Sequence, residues 1–182
     1  MTKKKHITFK NDDQKAILRE WWKNLSRGSK AELRRCSSPE EVAVLGAFHE
    51  LRFRLISVSS AHVDLERLAL VAGLSAHVKQ DESSQTIGQQ MAGCKQGSTI
   101  ELVSELRFRR LLAIGNVAFS QTDNTAVDAA NFLELYRMMI RIIHMLNGTC
   151  NLVSLANTVY WWNSKTKIEL ATYYFETNAA QK

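Results

Sequence analysis

Apolar residues along this chain recur every three to four positions, the spacing of a helix with one buried face, and almost nowhere alternate as a half-buried strand requires. The pattern predicts an all-α protein of about eight helical segments and no strand. Asn11 or Asp12 caps the first, which runs to about Ser26 with Ile17, Leu18, Trp21 and Leu25 at helical spacing and ends at Gly28. Ser29 and Glu32 have the spacing of a capping box for a short helix carrying Leu33, Arg34 and Arg35. Ser38, Pro39 and Glu41 open a third, through Val42, Leu45, Phe48 and Leu51 or Leu55, slightly weakened by Gly46 and broken at Ser59–Ser60. A helix from about His62 to His77 follows. Residues 79–99 are polar and glycine-dotted, and read as a mobile loop region holding one helix around Thr86–Ala92.

Three further helices and a long one complete the pattern. One runs through residues 104–114, then 115–125 is loop-like, and a long helix covers about Ala126–Leu146 until Asn147–Gly148 stops it. Asn151 caps a helix to about Trp162, and Ser164 caps a last one to about Glu176, beyond which the end frays. Residues 1–10, with Lys3, Lys4, Lys5 and Lys10, are expected to form a mobile basic tail. Residues 11–97 then form an N-terminal helical lobe and 98–177 a C-terminal helical bundle.

Composition narrows the function class. In 182 residues, 45% are hydrophobic, enough for a sizeable core, so global disorder is excluded. The net charge of +6 favours an anionic partner, nucleic acid ahead of an acidic membrane surface. Cys36, Cys94 and Cys150 are odd in number and widely spaced, which argues against a zinc site or a disulfide framework. No apolar run approaches the ~20 residues needed to span a bilayer. The expectation is a soluble, cytoplasmic protein with reduced thiols and no metal or cofactor.

Residues 104–112 read SELRFRRLL. At ~100° per residue, Phe108, Leu111 and Leu112 share one helix face, Arg107 and Arg110 the opposite one, and Arg109 a flank, with Leu106 on the arginine side. Fixed guanidinium groups suit phosphate, since each planar fork gives paired hydrogen bonds to its oxygens. On the long helix, Arg137, Arg141 and His144 form a narrow stripe opposite Met139, Ile142, Ile143 and Leu146, with Met138 beside these. Lys165 and Lys167 fall in the first turn of the last helix, whose free N–H groups already attract an anion. Arg34, Arg35, Arg52 and Arg54 are weaker candidates. The competing reading is a solvated face whose arginines pair with acids such as Glu105 or Glu134. The pairs Trp21–Trp22 and Trp161–Trp162 offer stacking surfaces for bases, but their apolar helical positions place at least one of each pair in the core.

Catalytic signatures are missing: no phosphate-cradling glycine loop, GxSxG, HExxH or paired-carboxylate metal motif occurs. A nuclease assembled from His49, His62 or His144 with distant acids stays open, as does a helical protein–protein adaptor with a basic docking face.

Several segments, in order over about residues 15–177, resemble the CasB family, the small subunit of the type I-E CRISPR surveillance complex Cascade. They are WWKNLSRGSKAELRRC (21–36), SSPEE (37–41) with AF (47–48), SELRFRRLL (104–112), YRMMIRII (136–143), and YWW (160–162) with a basic turn before YYF (173–175). The resemblance implies an all-α, two-lobed protein without catalytic activity that stabilises the R-loop in antiviral defence. Its implied partners are the large and backbone subunits of Cascade, a second copy of itself, guide RNA, and the target and displaced non-target DNA strands, with no membrane. The nucleic-acid-binding residues it implies are Arg34, Arg35, Arg107, Arg109, Arg110, Arg137, Arg141, Lys165 and Lys167.

Overall fold

The computed structural model describes residues 7–58, 62–94, 100–116 and 125–181, the side chains of 125–128 excepted. Its described residues form ten helices and one pair of two-residue strands. The all-α expectation holds. In chain order the elements are α1 (Asp12–Asn24), α2 (Arg27–Arg35), α3 (Pro39–Ala43), α4 (Gly46–Val58), α5 (Leu65–His77), β1 (Gln80–Asp81), α6 (Ile87–Ala92), α7 (Glu105–Ala113), α8 (Thr125–Met145), β2 (Thr149–Cys150), α9 (Leu152–Tyr160) and α10 (Ser164–Ala180).

α5 is the hub. Arg67 through Ala76 are all buried, and a helix apolar on every side needs neighbours on every side. α2, α3, α4, α8 and α9 supply them, while α1 lies on α4 and α9, and α10 lies on α6. The one buried charge on α5 is satisfied in place. Arg67 donates from Nη1 to the Tyr160 carbonyl at 2.5 Å, pairs with Asp64 at 3.3 Å, and stands over the Phe132 ring at 5.9 Å.

Local capping follows the sequence at many helix ends. The side chains of Asn11, Ser38, Thr86 and Asn151 each accept a backbone N–H of the helix they open, and Thr86 with Gln89 completes a capping box. Asn147, at φ 56°, and Gly148, at φ 80°, end α8. The Gly148 N–H donates to the Ile143 carbonyl and the Asn147 N–H to that of His144, the paired closure of a Schellman motif.

Five expectations differ. α1 stops at Asn24, and Gly28 lies inside α2, because Ser26 Oγ accepts the Ser29 N–H at 3.0 Å and starts that helix a turn earlier than a Ser29 cap allows. The third helix is two helices. The Leu45 N–H turns back to the Val42 carbonyl, so α3 packs on α5 and α4 chiefly on α1. α10 is capped by Asn163, not Ser164, and runs on to Ala180 because Tyr174 and Asn178 are buried. The polar stretch after α5 is anchored: β1 pairs in parallel with β2, and the buried Gln90 side chain donates to the Glu82 carbonyl and accepts the Asn151 N–H. Residues 7–10 of the expected tail lie on the core. Ile7 and Phe9 are buried, and Gln14 Oε1 accepts the Thr8 and Phe9 N–H groups at 3.1 Å each. Residues 1–6, the break at 59–60, and most of the 115–125 loop lie outside the described residues.

The crossing of α5 and α8 depends on a missing side chain. A Cβ at Gly73 would stand 2.7 Å from the Tyr136 hydroxyl and 2.9 Å from a Val42 methyl. Gly73→Ala overpacks this contact and is expected to lower stability by about 1–3 kcal/mol in urea unfolding, despite alanine's better helix propensity; a neutral or stabilising result refutes the tight crossing.

Candidate nucleic-acid interface

The α8 stripe emerges as its apolar pattern dictates. Leu135, Tyr136, Met139, Ile142 and Ile143 are fully buried, which turns Arg137, Arg141 and His144 to solvent. These three span two turns, about 10 Å. On α7, Phe108 and Leu111 are buried and Arg107, Arg109 and Arg110 are exposed. The anchor of α7 is Phe108, whose ring stacks on Tyr174 of α10 at 3.8 Å and 6° and meets Phe175 edge-on.

The two helices run antiparallel. Leu102 and Arg107, at the start of α7, share a surface depression of about 410 Å³ with His144, Met145 and Asn147, at the end of α8. Past the other end of α7, the Asn116 carbonyl accepts a hydrogen bond from Asn131 near the start of α8. The α8 row therefore leads into the depression that Arg107 lines, and Arg110 follows one turn along α7. Among the described residues, no carboxylate lies within ion-pair distance of Arg107, Arg110, Arg137 or Arg141. The pairing with Glu134 that the sequence left open does not form.

Arg34 joins the row from α2. Its Nε donates to the Ala76 carbonyl at 2.6 Å. The next residue, His77, packs its ring 5.5 Å from that of His144. Arg34, His77, His144 and Arg107 thus connect α2, α5, α8 and α7 in one chain of basic groups.

The remaining predicted residues stand apart. Arg35 is exposed but next to Arg34 in sequence, about 100° away around α2. Arg109 pairs with Glu105 at 2.5 Å. Lys165 is exposed and lines a separate depression with Thr8, Lys10 and Asn157. Lys167 turns inward: its ammonium donates to the Ile114 carbonyl, closing the end of α7, and sits 5.3 Å from the centre of the Trp162 ring, where burial lowers its pKa. Arg54 pairs with Glu50 and Glu20. Trp21, Trp22 and Trp162 are buried and Trp161 half-buried, so these tryptophans belong chiefly to the core. His49 and His62 do not line the depression beside His144, and no group of three or more potential metal ligands occurs among the described residues.

Two basic residues beside the row carried no signal in the sequence. His77 reads as the end of an apolar helix, and Lys79 as the start of a polar loop. Lys79 reaches the row because its N–H donates to the Gly148 carbonyl at 2.8 Å and its side chain runs along Gly148, just past the depression. The packing of α5 on α8 brings His77 there, and the parallel β1–β2 pairing, between segments far apart in sequence, brings Lys79.

Burial first, then the charges of His144 and Arg34, push the His77 pKa down from 6.5 to about 4. The unfolded chain binds the proton more readily between these values, so this contribution to stability is complete above about pH 6.5 and is lost as pH falls toward 4. Solvent reaching the ring's open side leaves an expected loss of about 1–2 kcal/mol. His77→Gln should flatten that part of the stability–pH profile measured by denaturant unfolding; an unchanged slope contradicts the assignment.

Comparison with known proteins gives the family and the fold. Residues 29–175 match the family model described as CRISPR-associated protein Cse2. A search of curated proteins gives no match. Among solved structures, a chain from the crystal structure of E. coli Cascade bound to a PAM-containing dsDNA target with a 32-nt spacer superimposes with a TM-score of 0.59. It is 19% identical, and the match covers 91% of this chain and 96% of that one, a likeness of fold. No helix among the described residues is long and apolar enough to cross a membrane. With the family model spanning most of the sequence, the chain belongs to the CRISPR-associated Cse2 family, also called CasB.

Proposed function

We propose that this chain is the small, non-catalytic subunit of a type I-E Cascade complex and that it grips the sugar-phosphate backbone of guide RNA or target DNA and of the displaced strand, stabilising the R-loop in antiviral defence. The observation that carries this reading is a set of exposed arginines without carboxylate partners among the described residues, Arg137 and Arg141 on α8 and Arg107 and Arg110 on α7, with Arg107 sharing a depression with His144 at the end of α8. Family membership and the fold shared with a chain of a DNA-bound Cascade support it. Arg34 extends the row, with Arg35, Arg109 and Lys165 as flanking contacts. The inward turn of Lys167 makes it the weakest of the candidates for a backbone contact. The other subunits of Cascade and a second copy of this chain are its protein partners.

The physical logic suits a guide-directed machine. Base pairing reads the sequence, so the protein needs contacts that ignore it, and phosphate contacts do so. R-loop formation exchanges one duplex for another of similar stability, so a few backbone contacts tip the balance. A cationic groove is also what holds a displaced single strand.

Charge reversal of Arg107, Arg110, Arg137 and Arg141 together should leave folding intact by circular dichroism, because all four side chains are exposed. It should also destabilise the R-loop formed by the reconstituted complex, read as the lifetime of displaced-strand reactivity to permanganate. For neutral replacements at all four, the slope of log affinity against log salt should shrink by about 3, since each phosphate contact contributes roughly 0.7–0.9. Unchanged R-loop lifetime and salt slope would sink the assignment and favour a protein adaptor with a basic docking face.

A further inference from the structure

His77 closes α5 where four elements meet. Its Nε2 is buried and has no hydrogen-bond partner. Its ring stands against His144, which is exposed and forms a wall of the depression lined by Arg107 and Asn147. The charged and titratable groups facing this imidazole pair come from every neighbouring element: Arg34 on α2, Lys79 ahead of β1, Arg107 on α7, and Arg141 one turn back on α8. All are basic.

Burial, and then the neighbouring His144 and Arg34, keep the His77 ring neutral while the depression is empty. An anion seated against Arg107 and His144 favours an imidazolium beside it, because its negative charge stabilises the protonated ring. Binding and proton uptake are then linked: whatever a proton does for the anion, the anion does for the proton. Histidine is the side chain whose ordinary range makes such a link operate between pH 8 and 6.

We infer that the depression formed by Arg107, His144 and Asn147, backed by His77, is a phosphate site that takes up a proton as it fills, so that the grip on a sugar-phosphate chain tightens as pH falls from 8 to 6. The nature of the phosphate rests on the nucleic-acid reading above; the site itself rests on the residues that line it. His144 touches the anion and takes the proton, and His77 is a positioning residue whose ring packs against that of His144 from behind.

Two arms separate a phosphodiester from free phosphate. In the first, the purified chain is titrated with a labelled single-stranded DNA oligonucleotide at constant ionic strength, and affinity is followed by fluorescence anisotropy at pH 8 and pH 6. Affinity should rise by about 5–10-fold on acidification, the share of one proton spread over two pH units. His144→Gln should abolish most of that rise, Arg137→Ala should lower affinity at both pH values and keep the ratio, and His49→Gln should change neither. In the second arm, imidazole ring resonances are followed by NMR as inorganic phosphate or the oligonucleotide is added. The His144 and His77 signals should move together at pH 6, with His49 unaffected.

An unaltered pH ratio in His144→Gln, or a bound oligonucleotide that leaves the His144 ring unmoved, overturns the inference while the arginine row stands. If no oligonucleotide binds, the nucleic-acid reading fails for the free chain and the inorganic-phosphate arm alone decides the site: movement of the His144 and His77 signals supports it, and their silence removes it.

Discussion

The burial of α5 on all sides is the constraint from which the rest of the molecule follows. Its backbone polar groups are satisfied within the helix, so its outward surface from Leu68 to Ala76 is almost entirely apolar and must be covered. Covering it fixes the five helices around it. Gly73 lets Tyr136 and Val42 approach to contact, and Ser75, the polar residue near its end, returns its hydroxyl to the Val71 carbonyl at 2.7 Å. Once Tyr136, Met139 and Ile143 are committed to this core, the rotation of α8 about its own axis is settled. Arg137 and Arg141 then face solvent, and His144 faces the depression beside His77. The basic row is thus a by-product of how α8 seats on α5, and its positions are as well determined as the core itself.

What the sequence makes legible are the signals that act within a few residues. Caps at Asn11, Ser38, Thr86 and Asn151, the Asn147–Gly148 stop, and the division of α7 and α8 into arginine and apolar faces all follow from local chemistry. Where two local choices compete, tertiary contacts decide. Ser26 prevails over Ser29, and Lys30 then lies 5.1 Å from the centre of the Trp22 ring. The chain turns at Leu45 because α3 and α4 serve different neighbours. Ile7 and Phe9 leave the basic tail because the His62 carbonyl accepts the Ile7 N–H and Gln14 and Tyr160 receive Phe9. The candidate site divides in the same way. A helical wheel shows that Arg137 and Arg141 share a face, but not that α7 runs antiparallel beside them, that His77 backs His144, or that Lys167 turns to the Ile114 carbonyl. Each of those facts depends on residues distant in sequence.

A row of like charges repels itself, and its presence needs a physical account. Exposure supplies part of it: screening over about 8 Å at physiological ionic strength limits repulsion between neighbouring turns. The apolar side of the same helices supplies the rest, since burial of Met139, Ile142, Ile143, Phe108 and Leu111 outweighs what the charges cost. The same field raises the encounter rate with a polyanion.

Arginine is used in two ways in this chain, and the difference lies in the neighbours. Arg19 meets Asp81 at 2.8 Å, Arg54 meets Glu50 and Glu20, and Arg67 is enclosed by Asp64 and the Tyr160 carbonyl. These guanidinium groups are neutralised within the fold, and an outside phosphate would have to displace a carboxylate to reach them. Arg107 and Arg110 on α7 and Arg137 and Arg141 on α8 lack such a competitor among the described residues. Their side chains are exposed to solvent, and counterions released from a sugar-phosphate chain that binds them gain entropy. Binding of this kind reads no bases. On the proposed reading it holds a strand without regard to sequence, the property a subunit needs when recognition is left to base pairing elsewhere.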